Sequence, residues 1–392
     1  MNATFACSGC GNCCSTWQVS IDKPRAEALL ALPWVQTLLA THGVAFEPLL
    51  NWGYYLPLQN NQMCVFWEAH TGCLIHTRLG ATAKPLDCQR FPFASFTPPN
   101  ANTFVDASFA CSEMVNTHLL QWQTPAPSTI ETTGLTACSQ TPEAVSPFYP
   151  KGVQWQSAVA RWSFPFKRLQ PIPWNVFHTR LEQLKPAFQD TTLPLWTSLA
   201  LAWRMVISPP NQQWLPETIV SWLLRYQHKP SSVPPTWVQQ LVHRWVLVKF
   251  LRMPYGMFDV GRFLLQNHYA DEKIFGAAIS LPLTQVLALP ISESPIIKAF
   301  LFQMLNRRLP LGYGGAWAEQ WLQACVAWFL IQWYARALAW LNAHTTVEDT
   351  HIKAAIRLVE RFYTAHQPRF LAKFEGQWFW LAIIHAWLRI RC

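Results

Sequence analysis

Cys7-Ser8-Gly9-Cys10-Gly11-Asn12-Cys13-Cys14 places four thiols in eight residues. A packed interior uses branched hydrocarbon, and the glycines between these thiols bring no side chain to pack. Glycine does let the backbone turn tightly and carry sulfurs toward a common point. A C-x2-C-x2-C-C run is therefore a ligand set for a soft metal or an iron–sulfur cluster. The N-terminal part of the chain is read as built around it.

The cysteines continue at Cys64, Cys73, Cys88 and Cys111, so eight of the eleven precede residue 112. Eight sulfurs suffice for two four-coordinate centres, or for one cluster with supporting thiols. Zinc and a [4Fe–4S] cluster each take four. Cys13 and Cys14 are neighbours, and neighbouring side chains in extended chain point opposite ways. Either the backbone turns there, or three of the four thiols face one centre and the fourth another. Iron–sulfur is the favoured filling and zinc the alternative. His70 and His76 lie near Cys64 and Cys73 in sequence, and either imidazole is a chemically reasonable ligand. Asp87 and Arg90 flank Cys88 and are the candidate cofactor-contacting side chains. Arg90 could hydrogen-bond thiolate sulfur or hold a carboxylate. Cys138, Cys325 and Cys392 are scattered and read as small buried hydrophobes or inert thiols.

Three blocks carry a family resemblance: Cys7-x2-Cys10-Gly11-x-Cys13-Cys14, then Cys64 with Cys73-Leu74-Ile75-His76, then Lys84-Pro85-x2-Cys88-x-Arg90-Phe91-Pro92-Phe93. Together they resemble the YkgJ-type cysteine-cluster family. That resemblance implies zinc or iron binding and an Fe–S oxidoreductase-like character. The flagellin lysine N-methylases share the cluster and are similar in length. Protein-lysine N-methylation, with S-adenosylmethionine as donor, is an alternative function it implies; a non-catalytic structural cluster supporting a helical interaction module is the other alternative reading. The resemblance implies ligation by Cys7, Cys10, Cys13, Cys14, Cys64, Cys73 and Cys88, and more weakly by Cys111. It covers roughly residues 5–115 and says nothing of the rest. Gln89 stands where the family pattern has an arginine directly after the cysteine, and Arg90 follows.

Charge divides the chain. Residues 1–115 hold 5 Lys/Arg against 7 Asp/Glu, whereas residues 116–392 hold 25 against 14. The basic excess belongs to the second part, where it could serve an acidic protein substrate or partner, or form an ordinary solvated helical surface. There is no Lys/Arg run of the kind that marks a nucleic-acid site. Hydrophobic residues make up 51% and charged residues 13%, so large buried surfaces are expected rather than disorder. Met1–Cys7 shows no basic stretch leading into an apolar one, so cytoplasmic residence is the expectation. In that compartment clustered thiols serve as metal ligands rather than disulfides. Trp321–Tyr334 and Trp378–Leu388 are apolar but short or interrupted by polar residues. They read as core helices rather than membrane spans.

The expected fold is mainly α: a small, loop-rich, metal-stapled cysteine-cluster domain over 1–122, a Pro-rich linker over 123–173, and a compact all-helical domain over 174–392. Residues 15–43 are expected to be helical, with Asp22 as a cap, Pro24 in a first turn, a restart at Pro33 and an end at Gly43. Met63–Trp67, Cys73–His76 and Asn102–Asp106 read as short strands. Helices are expected over 174–189, 193–207, 213–227, 234–253, 257–268, 294–307, 315–342, 346–365 and 370–390. Thr345 with Glu348 suggests the capping box of the 346–365 helix. Thr124–Ser128 and Pro147–Pro150 mark the linker.

No Gly-rich strand-to-helix turn, P-loop or nucleophile elbow is present, and the radical-SAM spacing fails because Trp17 stands where a third thiol is required. No catalytic residue can be named from the sequence.

Overall fold

The computed structural model describes residues 7–15, 19–49, 53–59, 63–96, 104–121, 144–145, 172–207, 268–270, 280–307 and 317–361. Of the described residues 62% are helical, and the N-terminal region is rich in loops and strands. The chain divides into two compact units. The first comprises Met1–Ser95, Val105–His118 and Gln123–Thr136, and the second Phe96–Phe104, Leu119–Trp122 and Ala137–Cys392.

Among the described residues after the knot, the first regular element is strand β1, Ser20–Asp22, not a helix. The helix expected from residue 15 starts at Lys23. Local propensity did not reveal a long-range partner: Ser20, Ile21 and Asp22 pair antiparallel with Tyr55, Tyr54 and Gly53. Helix α1, Lys23–Leu30, follows directly, and the Asp22 side chain accepts the Arg25 amide at 3.1 Å as its N-cap. Pro33 opens helix α2, Pro33–His42, and Gly43 closes it in the left-handed conformation, φ 61°. Strands β2 (Glu47–Leu49) and β3 (Gly53–Tyr55) complete a three-stranded sheet with β3 in the middle. The core beneath it gathers Ile21, Ala26, Leu29, Val35, Leu39, Phe46, Leu56, Val65, Phe66 and Ile75. Phe46 and Trp34 each meet Phe66 edge to face at 6.1 Å between ring centroids.

Gly53 is required where it stands. A Cβ there would come within 2.2 Å of the Ile21 backbone oxygen. Gly53→Ala is expected to destabilise the unit by about 3 kcal/mol through this overpacking, read as a loss of amide protection in β1 and β3.

Two short hairpins follow. Strand β4 (Leu58–Gln59) pairs with β5 (Met63–Cys64), and β6 (Trp67–Glu68) pairs with β7 (Gly72–Cys73). Cys73–His76 was expected to be extended. Only Cys73 is; Leu74, Ile75 and His76 open helix α3, Leu74–Leu79, which buries Leu74 and Ile75. Helix α4 (Leu86–Arg90), strand β8 (Phe93–Phe96) and strand β9 (Phe104–Ala107) come next. A π-helical turn over Met114–His118 ends the first unit's described residues.

The second unit is helical. Two short strands, β10 (Ala144–Val145) and β11 (Ile172–Pro173), pair antiparallel. Helices α5 (Trp174–Gln189) and α6 (Leu195–Ile207) agree with the sequence pattern. Strands β12 (His268–Ala270) and β13 (Ser280–Pro282) pair and lead into helix α7, Leu283–Ala288. Helix α8, Pro295–Asn306, is capped by Ser294, and every residue from Ile296 to Leu305 is buried. A helix buried all round is the centre of a bundle, and α5, α9 (Trp317–Leu341) and α10 (Asp349–Val359) pack on it. Gln320 of α9 donates to the carbonyls of Met304, Leu305 and Arg307, satisfying the end of α8. Trp321 donates its indole N–H to the Leu199 carbonyl at 2.8 Å.

Residues Gln323–Leu341 of α9 are long and apolar enough to cross a membrane, but 65% of that window is buried inside the unit. Trp333, Tyr334, Leu330 and Ile331 are fully enclosed, so α9 is a core helix. The capping box of α10 differs from the expected pair. Glu348 itself is the N-cap, and His351 takes the reciprocal role three residues later. The pattern misled because a histidine nitrogen can accept the amide as readily as the expected glutamate. The helices expected over 213–227, 234–253, 257–268 and 370–390, the Trp378–Leu388 stretch and nearly all of the 123–173 linker lie outside the described residues.

Candidate metal centre

The knot is a turn, as its glycines require. Gly9 and Gly11 both have positive φ, 66° and 76°, and Asn12–Cys14 form one 3-10 turn closed by the Cys14 amide on the Gly11 carbonyl at 2.8 Å. That turn brings the Cys13 and Cys14 sulfurs to 3.9 Å, so the turned-backbone reading of the adjacent pair is the one the chain adopts. Just beyond, Ser15 bridges to Met63, which sets the knot beside the Cys64 hairpin. Cys64 lies opposite Leu58, and Cys73 lies opposite Trp67. Trp67 then reaches back over the knot: its indole N–H donates to the Gly9 carbonyl at 3.2 Å. On the far side, Asn12 donates to the Ser112 hydroxyl, drawing in the residue next to Cys111.

The thiols share one electrostatic neighbourhood. The Cys14 thiol is held far above its ordinary range, first by its hydrogen bond with Cys13, then by burial, then by the charges of Cys13, Cys64 and Cys88. Burial pushes the Cys64 thiol up to about 12, and Cys73 and Cys13 add to the rise. Burial also lifts Cys88 to about 12, helped by Cys64, Cys73 and Cys13 and opposed by the Lys84 ammonium. Cys111 is raised to about 12 by burial, with Cys13 and Cys7 contributing and the Met114 and Glu113 amides opposing. Cys13 acts on every one of these four thiols. Cys7 and Cys10 are exposed at the rim. Crowded thiols resist ionisation because each thiolate repels the next. A bound cation reverses that balance, since a coordinating thiol gives up its proton outright. The donor set and its crowding therefore fit a soft metal.

His70 and His76 are exposed. Asp87 is exposed, and its carboxylate accepts from the Ser20 hydroxyl at 3.2 Å. Arg90 ends α4, two residues after Cys88. Gln89, in the place of the family's arginine, donates to the carbonyls of Thr82 and Lys84 and so fastens α4 to the turn before it. Cys325 is buried in α9 of the helical unit, and burial raises its thiol well above the ordinary value. Cys138 and Cys392 lie outside the described residues.

Sequence reasoning missed Trp67, Asn12 and Lys84. Trp67 had one available signal: Gly11 has no side chain, and something must cover it. A Cβ on Gly11 would lie 2.3 to 2.7 Å from the Trp67 ring, whereas a Cβ on Gly9 would meet nothing within 4 Å. Gly11→Ala is therefore expected to lower metal per chain at least about tenfold. Gly9→Ala should cost only the strain of its left-handed backbone, about 1–2 kcal/mol. Trp67→Ala in the Gly11→Ala background should restore part of the metal. Elemental analysis of the three purified variants checks the set.

Residues 6–112 match the CxxCxxCC family. Its description is a candidate zinc- or iron-chelating domain, in agreement with the YkgJ-type resemblance of the cysteine blocks. The match spans the knot and all four later thiols of the site, and it ends before the helices that begin at Trp174. No curated protein and no solved structure matches the chain. The match and the donor chemistry together support zinc or iron binding by the N-terminal region.

Proposed function

We propose that the chain is a cytoplasmic metal-cluster protein of redox or regulatory character, with an iron–sulfur cluster, [4Fe–4S] in type, held by the N-terminal thiols. The observation that carries this reading is the turn that sets the Cys13 and Cys14 sulfurs 3.9 Å apart, beside the hairpin of Cys64. A single tetrahedral zinc site uses four thiolates. The eight clustered cysteines exceed one such site, and a cluster with supporting thiols accommodates them. Cys13, Cys14, Cys64, Cys73 and Cys88 would form the inner set, with the exposed Cys7 and Cys10 at the rim and the buried Cys111 supporting it. A cluster there would supply one-electron chemistry at a potential set by burial and by hydrogen bonds to sulfur. Lys84, the cation acting on Cys88, would favour the more negative reduced state.

The test is an anaerobic preparation examined optically before and after dithionite, with iron, sulfide and zinc quantified on the same sample. A broad visible absorbance that bleaches, with iron and sulfide in equal amounts, supports the proposal. A colourless protein with stoichiometric zinc overturns the redox reading and leaves a structural zinc module.

A further inference from the structure

The helical unit carries a second group of metal-binding side chains that owes nothing to the cysteines. Helix α9 ends at Leu341, and Ala343 adopts a left-handed conformation, φ 57°. The His344 amide donates back to the Ala339 carbonyl at 2.9 Å. This turn delivers His344 to the start of α10, where Glu348 and His351 form the cap. The ligand atoms of His344, Glu348 and His351 lie within 4.8 Å of one another. His344 Nδ1 is 3.1 Å from Glu348 Oε1, and the two imidazole rings stand edge to face at 4.8 Å.

Capping accounts for two of these residues. The Glu348 carboxylate and the His351 imidazole satisfy one another's backbone amides, and the helix start needs no more. His344 is surplus to the cap. It brings a second imidazole beside the carboxylate, half in water, while His351 is buried and fixed. Two imidazoles and one carboxylate are the donor set of first-row divalent ions, with nitrogen and oxygen ligands at about 2.0–2.2 Å. One rigid donor and two adjustable ones can contract by the small distance such an ion requires.

We propose that His344, Glu348 and His351 bind one first-row divalent transition-metal ion, separate from the thiol centre. Three protein ligands leave at least one coordination position for water or for a donor from a partner. The site also has a mechanical consequence. His351 Nδ1 accepts the Glu348 amide at 3.1 Å, and an amide can only donate, so that nitrogen's lone pair is engaged by the cap. An ion on Nδ1 displaces the amide directly. An ion on Nε2, which now faces Asn342 at 3.4 Å, needs the ring proton on Nδ1 and displaces the amide as well. Ion and cap therefore compete for one imidazole, and metal binding loosens the first turn of α10.

The experiment is a Co2+ titration of the full-length protein as purified, with its thiol centre filled. We expect one additional Co2+ per chain, with weak visible bands and no thiolate-to-cobalt charge transfer in the near ultraviolet. Exchange at the Glu348 amide should speed up as the ion binds. His344→Ala and Glu348→Gln, both at exposed positions, should each weaken binding at least about tenfold, and His42→Ala on α2 should leave it unchanged. Equal Co2+ affinity in His344→Ala and the parent protein overturns the proposal. So does thiolate charge transfer on the added ion, or no uptake at all.

Discussion

Stripping the metal from the thiol centre is expected to unfold the N-terminal unit and leave the helical unit folded. The core cluster beneath the N-terminal unit's sheet gathers ten buried side chains among the described residues, most of them from short elements. The hairpins that carry Cys64 and Cys73 are two residues long on each side. Isolated hairpins of that length do not hold in water. The Ser15–Met63 bridge and the Trp67 indole on the Gly9 carbonyl tie them to the knot, and Asn12 bonds Ser112 beyond it. A structural metal adds on the order of 10–16 kcal/mol in small modules of this kind, more than such contacts provide.

Hydrogen exchange is the appropriate readout, because circular dichroism would report mainly the helical unit. Peptides over 20–79 should lose protection after chelation, whereas peptides over 295–306 and 317–341 should not. Full protection of β1–β3 in metal-free protein would contradict the expectation. The same thiols set a pH dependence. Cys64, Cys88 and Cys111, each raised to about 12, carry their protons at neutral pH when no metal is bound. Binding must expel those protons, so metal affinity should rise with pH and binding should release protons into buffer. Calorimetry in buffers of different ionisation enthalpy measures that release.

Lys298→Ala is expected to destabilise the helical unit by about 3–5 kcal/mol. Lys298 is 1% exposed and sits inside α8. Its ammonium donates to the carbonyls of Asp190, at 2.6 Å, and Leu193, both in the connection between α5 and α6. The Glu293 carboxylate stands 3.9 Å away and also accepts the Leu195 amide at the start of α6. One ammonium thus ties the central helix to a loop that would otherwise bury its carbonyls without donors. Burial holds the Lys298 pKa below the ordinary lysine value, against the pull of Glu293 and Asp190. Alanine strands both carbonyls and leaves a cavity. Lys298→Met fills the space and loses only the hydrogen bonds, so it should cost about 2 kcal/mol. Urea unfolding followed by helical circular dichroism separates the two. Equal stability of the alanine variant and the parent would show that the tie is incidental.

The helical elements were legible because each carries its signal locally. Pro33 restarts the helical pattern as α2 and Gly43 ends it, and the apolar Trp321–Tyr334 stretch reads as a core helix in spite of Gln323 and Gln332. The strands were not legible in the same way. Ser20–Asp22 are extended because Gly53–Tyr55 pair with them across a gap of more than thirty residues, and no local pattern carries such a partnership. Leu74–His76 look β-prone in isolation, yet Leu74 and Ile75 are buried as the first turn of α3. The thiol centre was legible in its ligands and not in its setting. Cysteine spacing announces a metal, but the indole of Trp67 over Gly11 is a tertiary fact. The His344–Glu348–His351 group was invisible for a similar reason, since it depends on the left-handed turn at Ala343.

X-ray absorption at the K-edge of the native metal tests the central claim most directly. The sample should be His344→Ala protein, so that the second site contributes nothing. A first shell dominated by sulfur at about 2.3 Å, lost in Cys13→Ser, is the expected result. A shell of nitrogen and oxygen at about 2.0–2.1 Å, or a sulfur shell unchanged by Cys13→Ser, would contradict a thiol centre organised around the knot.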